Sequence, residues 1–224
     1  VSKYQIESVL VVVALSIASG CRRQPATPPP AATTVSSSTA REPKLRLPRA
    51  NHGTGAIEGE QPEFDRGLQP ERIMAALAIR PGQNVADLGA GRGYFIPRLA
   101  AAVAPGGRVV ATDIDDTALE TLRVRFGQVA NVVVRQAAAD DPGLEPGQYD
   151  LVLMSEMDHF LADRVDYLKR VRAALKPNGI VAVTHFTGMQ VPLMQAASTA
   201  GYRIVRELQT PQHYLVLLEP IASN

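Results

Sequence analysis

The sequence predicts a doubly wound α/β fold, with a seven-stranded, mostly parallel sheet and helices on both faces. From Gln69 onward, short apolar runs alternate with segments whose apolar residues recur at helical spacing. The runs are continuously apolar rather than alternating, the pattern of parallel strands covered on both faces. Turn chemistry separates them at Arg80-Pro81-Gly82, Pro105-Gly106-Gly107 and Pro177-Asn178-Gly179.

Gln69-Pro70 opens the first helix, because the N–H that proline gives up at the first helical position has no partner there. Ile73, Leu77 and nearby alanines form its apolar face, and Arg80-Pro81-Gly82 ends it. NVADL (84–88) is the first strand, followed by a helix through Ile96, Leu99, Ala100 and Val103. RVVATD (108–113) precedes a helix over 116–126, with Leu119, Leu122 and Phe126 on one side. NVVVRQA (131–137) comes next, then a Pro/Gly-rich loop and YDLVLMS (149–155). A helix bearing Val165, Leu168, Val171 and Leu175 turns at Pro177-Asn178-Gly179 into IVAVTHF (180–186). A helix near 190–199 and two strands, YRIVREL (202–208) and HYLVLLE (213–219), close the sheet. Ligands of such sheets bind at the carboxyl ends of the strands, where strand order reverses.

The first strand ends in VADLGAGRGYF (85–95). Gly89, Gly91 and Gly93 give G-x-G-x-G, not the G-x-G-x-x-G of a dinucleotide site. Glycines let backbone approach a ligand closely at a helix N-terminus. Asp87 stands two residues before them, where a carboxylate repels a pyrophosphate and suits a ligand carrying positive charge, such as an α-ammonium beside a sulfonium. Asp113, at the end of the second strand, is placed to accept both hydroxyls of a ribose, leaving Asp115 and Asp116 to cap the helix. Asp140-Asp141 follows the third strand, near where an adenine amino group would lie, although Pro142 makes a turn role equally natural.

Composition bounds the rest. The 224 residues suggest one domain with an appendage. Residues 9–19, VLVVVALSIAS, are apolar but too short to span a bilayer, which takes roughly 20 residues. They match the apolar core of a signal peptide, with Ala18-Ser19-Gly20 before Cys21, the single cysteine. This resembles a bacterial lipoprotein leader, which implies a lipidated Cys21 and a membrane-anchored domain at the cell envelope; without a working leader the location is cytoplasmic. Residues 21–65 are rich in Pro, Ser, Thr and Ala and read as a disordered spacer, leaving 66–224 as the domain. From Arg66 onward there are 16 basic and 16 acidic residues, with no basic block, so a nucleic-acid partner is disfavoured. The lack of cysteine beyond Cys21 excludes disulfides, cysteine-ligated zinc and a cysteine nucleophile from that domain, and no metal site is expected.

Taken together, DLGAGRGY, VVATDID, YDLVLMS and LKPNGIVAV resemble, in order and spacing, the motifs of class I S-adenosylmethionine-dependent methyltransferases, over roughly residues 67–219. The segment 140–179 resembles a group of small bacterial methyltransferases that are often exported or lipoprotein-like. Their fourth strand is usually followed by a His-His pair; here the pair is Asp158-His159. The resemblance implies a Rossmann-like sheet and S-adenosylmethionine as cofactor. It implies that Asp87, Gly89, Ala90, Gly91 and Gly93 hold the methionine portion, Asp113 with Ile114 the nucleoside, and Ser155 the end of the fourth strand beside it. Many relatives carry an Asp two residues upstream of Asp140, where this chain has Ala138, so Asp140 is a substitute for the adenine contact. Tyr94 and Phe95 would wall the cleft, with core packing an equal explanation for Phe95.

Methyl transfer from a sulfonium is an in-line displacement in which the protein chiefly aligns the partners. A base is needed only for a hydroxyl or a protonated amine. His159 is the first candidate, since imidazole titrates near neutrality, and His185 at the end of the fifth strand the second; either is also read as a structural histidine. Glu156 and Asp158 would bind a cationic acceptor or cap the next helix. No D/N-P-P-Y/F segment follows the fourth strand, which argues against base N-methylation and leaves a small-molecule or lipid-like acceptor. Two other uses of the fold stay open: a non-catalytic lipoprotein module that binds a nucleoside, and an NAD-dependent dehydrogenase, which would need the longer glycine spacing.

Overall fold

The computed structural model describes residues 65–222. The predicted leader, Cys21 and nearly all of the spacer lie outside the described residues. A turn of helix at 65–68 leads into α1 (Pro70–Leu77), with Pro70 in its first turn as expected. The order is then β1 (Asn84–Leu88), α2 (Ile96–Val103), β2 (Arg108–Asp113), α3 (Asp116–Phe126), β3 (Val132–Gln136) and β4 (Tyr149–Ser155). A 3-10 turn (Asp158–Phe160) precedes α4 (Arg164–Ala174) and β5 (Leu175–Phe186); α5 (Gln190–Thr199), β6 (Tyr202–Gln209) and β7 (His213–Pro220) follow.

The seven strands form one sheet in the order β3-β2-β1-β4-β5-β7-β6. All neighbours are parallel except at β7, which runs antiparallel to both β5 and β6. The expected doubly wound, Rossmann-like sheet is therefore present. Strand order reverses between β1 and β4, so the loops that leave their carboxyl ends diverge and open a crevice. One core on one face joins α4 and α5 to the sheet through Leu168, Val171, Leu193 and Met154; the other joins α1, α2 and α3 through Ile73, Leu99, Leu122 and Leu153. Helix α2 shows what dominates. It has no side-chain cap, a loss of about 1 kcal/mol, yet it fully buries Ile96, Leu99 and Val103, together worth roughly 5–9 kcal/mol.

Two elements differ from expectation. Helix α1 stops at Leu77 instead of continuing to Arg80, and Ala78 turns left-handed at φ 50°. The proline at 81 disfavours helical geometry in Arg80, so the chain unwinds early. Leu175 belongs to β5 rather than to the preceding helix. It pairs with Tyr149, the next pair is Leu151 with Ile180, and the Lys176–Gly179 segment bulges between them, with Asn178 at φ 67°. The closing strand β6 is present as expected; it is a solvent-facing edge in which Tyr202 alone is buried, so its Ile and Val report strand propensity rather than burial.

Candidate active site

The glycine turn is held by backbone geometry. Gly89, Gly91 and Gly93 lie at φ 64°, 55° and 83°, where a side chain is disfavoured. A Cβ on Gly93 would sit 2.3 Å from the Phe126 ring, and one on Gly89 would sit 2.9 Å from Met157 Cβ. A Cβ on Gly91 would meet nothing within 4 Å, so there the chain faces open space. The Gly91 N–H donates to Asp113 Oδ2 (2.8 Å), and the Asp115 N–H donates to Asp113 Oδ1 (2.9 Å). Asp113 thus ties the glycine turn to the end of β2, and each oxygen retains a lone pair for a ligand. Asp115 caps α3 by accepting from the Thr117 and Ala118 N–H groups, as its position suggested.

Asp87 is 2% exposed and has no hydrogen-bond donor among the described residues. Burial, with the Asp113 carboxylate adding, pushes its carboxyl up to about 8. A buried anion without a donor is costly. An ammonium ligand would supply the missing charge and donors, which is the fit expected for the methionine end of S-adenosylmethionine.

Other predicted contacts sort unevenly. Ile114 is 47% exposed beside Asp113, a free apolar surface at the crevice. Ser155 is half-buried at the end of β4. Ala90 is half-buried, and its N–H donates to the Thr112 carbonyl (2.9 Å). The Tyr94 hydroxyl donates to Asp65 and its ring lies under Arg98, so this side chain is committed to the N-terminal helical turn and α2. Phe95 is 2% exposed and belongs to the core, not to a cleft wall. Asp140 is exposed; its neighbour Asp141 shapes the loop, accepting from the Gly143 N–H (2.9 Å). Asp141 and Asp113 both act on the Tyr167 hydroxyl, which burial above all holds above the usual phenol range.

On the acceptor side, His159 and His185 meet, with His185 Nε2 2.7 Å from His159 Nδ1. His185 is buried, and its Nδ1 accepts from the Phe186 N–H (2.7 Å). Both of its ring nitrogens are committed, and burial holds its imidazole below the usual histidine range. His185 accordingly acts on His159 rather than on a ligand, while His159 is exposed with its ring against Phe160. Asp158 is fully buried, and Arg164 Nε donates to its Oδ2 (2.9 Å). It neither faces a cationic acceptor nor caps α4, whose cap is Asp163. Glu156, left-handed at φ 52°, pairs with buried His213 Nε2 (2.7 Å) instead of capping a helix. Sequence reasoning missed Arg164, His213 and Tyr214. The partner of His213 is fixed by strand order, and that of Arg164 by the 3-10 turn before α4. Among the described residues no group of three or more His, Cys, Asp or Glu side chains is arranged to hold a metal ion.

Residues 86–181 match the methyltransferase domain family. The chain is 31% identical over 119 residues to the ubiquinone/menaquinone biosynthesis C-methyltransferase UbiE of Ectopseudomonas mendocina, covering 52% of this chain and 46% of that protein. It is 31% identical over 135 residues to the nocamycin O-methyltransferase of Saccharothrix syringae, covering 58% and 47%. The chain thus spans less than half the length of these curated relatives. A solved S-adenosylmethionine-dependent methyltransferase from Aquifex aeolicus superposes with a TM-score of 0.65 at 19% identity, covering 70% of this chain and 92% of that one. The fold is that of class I methyltransferases, and residues 86–181 resemble a methyltransferase domain. S-adenosylmethionine is the cofactor these likenesses indicate.

Proposed function

We propose that the protein transfers a methyl group from S-adenosylmethionine to a small-molecule or lipid-like acceptor. The observation that carries this is buried, donor-less Asp87 beside a glycine turn open at Gly91. When bound, the cofactor supplies an electrophilic methyl on a sulfonium with a good leaving group. Asp87 binds its ammonium, Asp113 its ribose hydroxyls, and Ile114 packs on the base with Asp140 or Asp141 at its edge. His159 meets the acceptor, and His185 positions it. The family match and the O- and C-methyltransferase relatives support the reaction class. Calorimetry of the full-length chain with S-adenosylmethionine, S-adenosylhomocysteine and NAD tests the reading. We expect binding of the first two; NAD binding with no response to either would overturn it.

The sequence of the leader supports a tether through lipidated Cys21, with the domain facing the periplasm. No helix among the described residues is long and apolar enough to cross a membrane. Labelled-palmitate incorporation into the full-length chain, lost in Cys21→Ala, is the expected result; equal labelling of both removes the anchor.

A further inference from the structure

We propose that the His185–His159 pair fixes His159 as a hydrogen-bond donor, so that the acceptor is one whose reacting oxygen is already an anion: a carboxylate, an enolate or a phenolate. This rests on the methyl-transfer reading above and narrows its substrate class.

The backbone sets the protons. The Phe186 N–H always carries its hydrogen and lies 2.7 Å from His185 Nδ1, so that nitrogen is a bare acceptor. A neutral imidazole has one proton, which in His185 must then sit on Nε2. Nε2 is 2.7 Å from His159 Nδ1, which therefore accepts. The single proton of neutral His159 is left on its own Nε2, on an exposed side chain with no second polar partner among the described residues. Reversing this chain would make both His185 nitrogens acceptors, an imidazolate, which neutral pH does not supply.

The surroundings favour the same arrangement. Asp158 Oδ1 lies 3.8 Å from His185 Nε2, has no donor of its own among the described residues, and attracts a proton to that edge of the ring. Arg164 holds the other oxygen of Asp158. Glu156 and His213 face the pair but are bonded to each other, and Tyr214 is the register partner of His185 in β7. None of these hydrogen-bonds to either ring. The 3-10 turn that carries His159 begins next to Met157, the residue that packs on Gly89, so its free N–H belongs to the loop that closes on the glycine turn.

A donor in this position stabilises an oxyanion and takes no proton. An acceptor oxygen that arrives ionised forms its bond to the methyl carbon as the carbon–sulfur bond breaks and sulfur keeps the electron pair. No proton changes hands. A neutral alcohol or an ammonium would need a proton acceptor that the pair does not present.

The test is proton–nitrogen correlation NMR of the full-length chain labelled at histidine, at neutral pH, assigned with His→Gln variants. The expected spectrum has protonated Nε2 and bare Nδ1 on both His159 and His185. His185→Gln, which can still donate, keeps that state; His185→Leu releases His159 into a mixture of tautomers. Benzoate, the oxyanion probe, should shift the His159 Nε2–H resonance and bind about tenfold more weakly to His159→Leu, whereas benzyl alcohol should not discriminate. A bare Nε2 on His159, or benzoate that leaves this resonance unmoved, overturns the proposal. Failure to bind S-adenosylmethionine with the tautomers as expected would instead strike the methyl-transfer reading.

Discussion

At the amino edge of the sheet Asp150 accepts from the Asn84 N–H (2.8 Å) and from Lys176 Nζ (2.6 Å), and Glu145 accepts from Arg135 (2.6 Å). At the carboxyl edge Asp87 is buried with no donor among the described residues, and Asp158 has only one of its two oxygens satisfied. The same residue types are thus neutralised within the fold at one edge and left short of partners at the other. Where a fold forgoes its own donors, a ligand can supply them. The arginine and tyrosine hydrogen bonds hold Glu145 below the usual carboxylate range, while burial lifts Asp87 to about 8. One edge is built for stability and the other for occupancy.

The sharpest way to break this contrast is Asp87→Ala. Calorimetry should show S-adenosylmethionine affinity falling at least 100-fold, about 3 kcal/mol, because the ammonium loses a desolvated charge partner. Its companion Asp87→Asn should uncouple stability from pH. The folded carboxyl titrates near 8 against 3.8 for the ordinary group. The Asp87 contribution to stability of the ligand-free fold is therefore fully present below about 4 and is lost as pH rises through about 8. Thermal melts at pH 6 and pH 9 should show the parent dropping and the Asn variant holding level; parallel curves would contradict the buried, donor-less carboxyl. Asp113→Ala ranks next. It removes the anchor of the Gly91 and Asp115 N–H groups and should weaken cofactor binding by about 1–3 kcal/mol. Unchanged affinity would take Asp113 out of the site. Gly93→Ala sharpens the packing side of the contrast: with Phe126 at 2.3 Å and φ at 83°, denaturant melts should lose about 1–3 kcal/mol. The smallest effect belongs to Asp150→Asn. It breaks a half-exposed pair with Lys176 and should lower stability by about 1 kcal/mol or less, with cofactor affinity untouched.

The glycine turn and its link to Asp113 were legible in the sequence because their parts are adjacent. Asp87 and the three glycines occupy seven consecutive positions, and Asp113 ends a strand whose apolar run is unmistakable. The histidine cluster was legible only as isolated residues. His159 and His185 are 26 apart, and His213 lies 57 beyond Glu156. Their meetings depend on β5 lying beside both β4 and β7, a matter of tertiary order. The burial of Asp158 was equally hidden. In sequence it reads as an acceptor contact or a helix cap, while in the fold it sits at 0% exposure against Arg164 and takes no part in capping. The edge strand β6 was legible as a strand although it is exposed, since β-branched residues favour strands whether or not both faces are covered.

The reversed direction of β7 has a temporal consequence. Because it runs against its neighbours, its first residues, His213 and Tyr214, arrive at the carboxyl edge beside His185 and Phe186. A parallel strand would have delivered its last residues there instead. As the chain leaves the ribosome, the glycine turn, Asp87 and Asp113 are all present once β4 has emerged, whereas the surroundings of His185 wait for the closing hairpin. A nascent or truncated chain ending before residue 213 would hold the glycine turn with the histidine pair left uncovered on its β7 side.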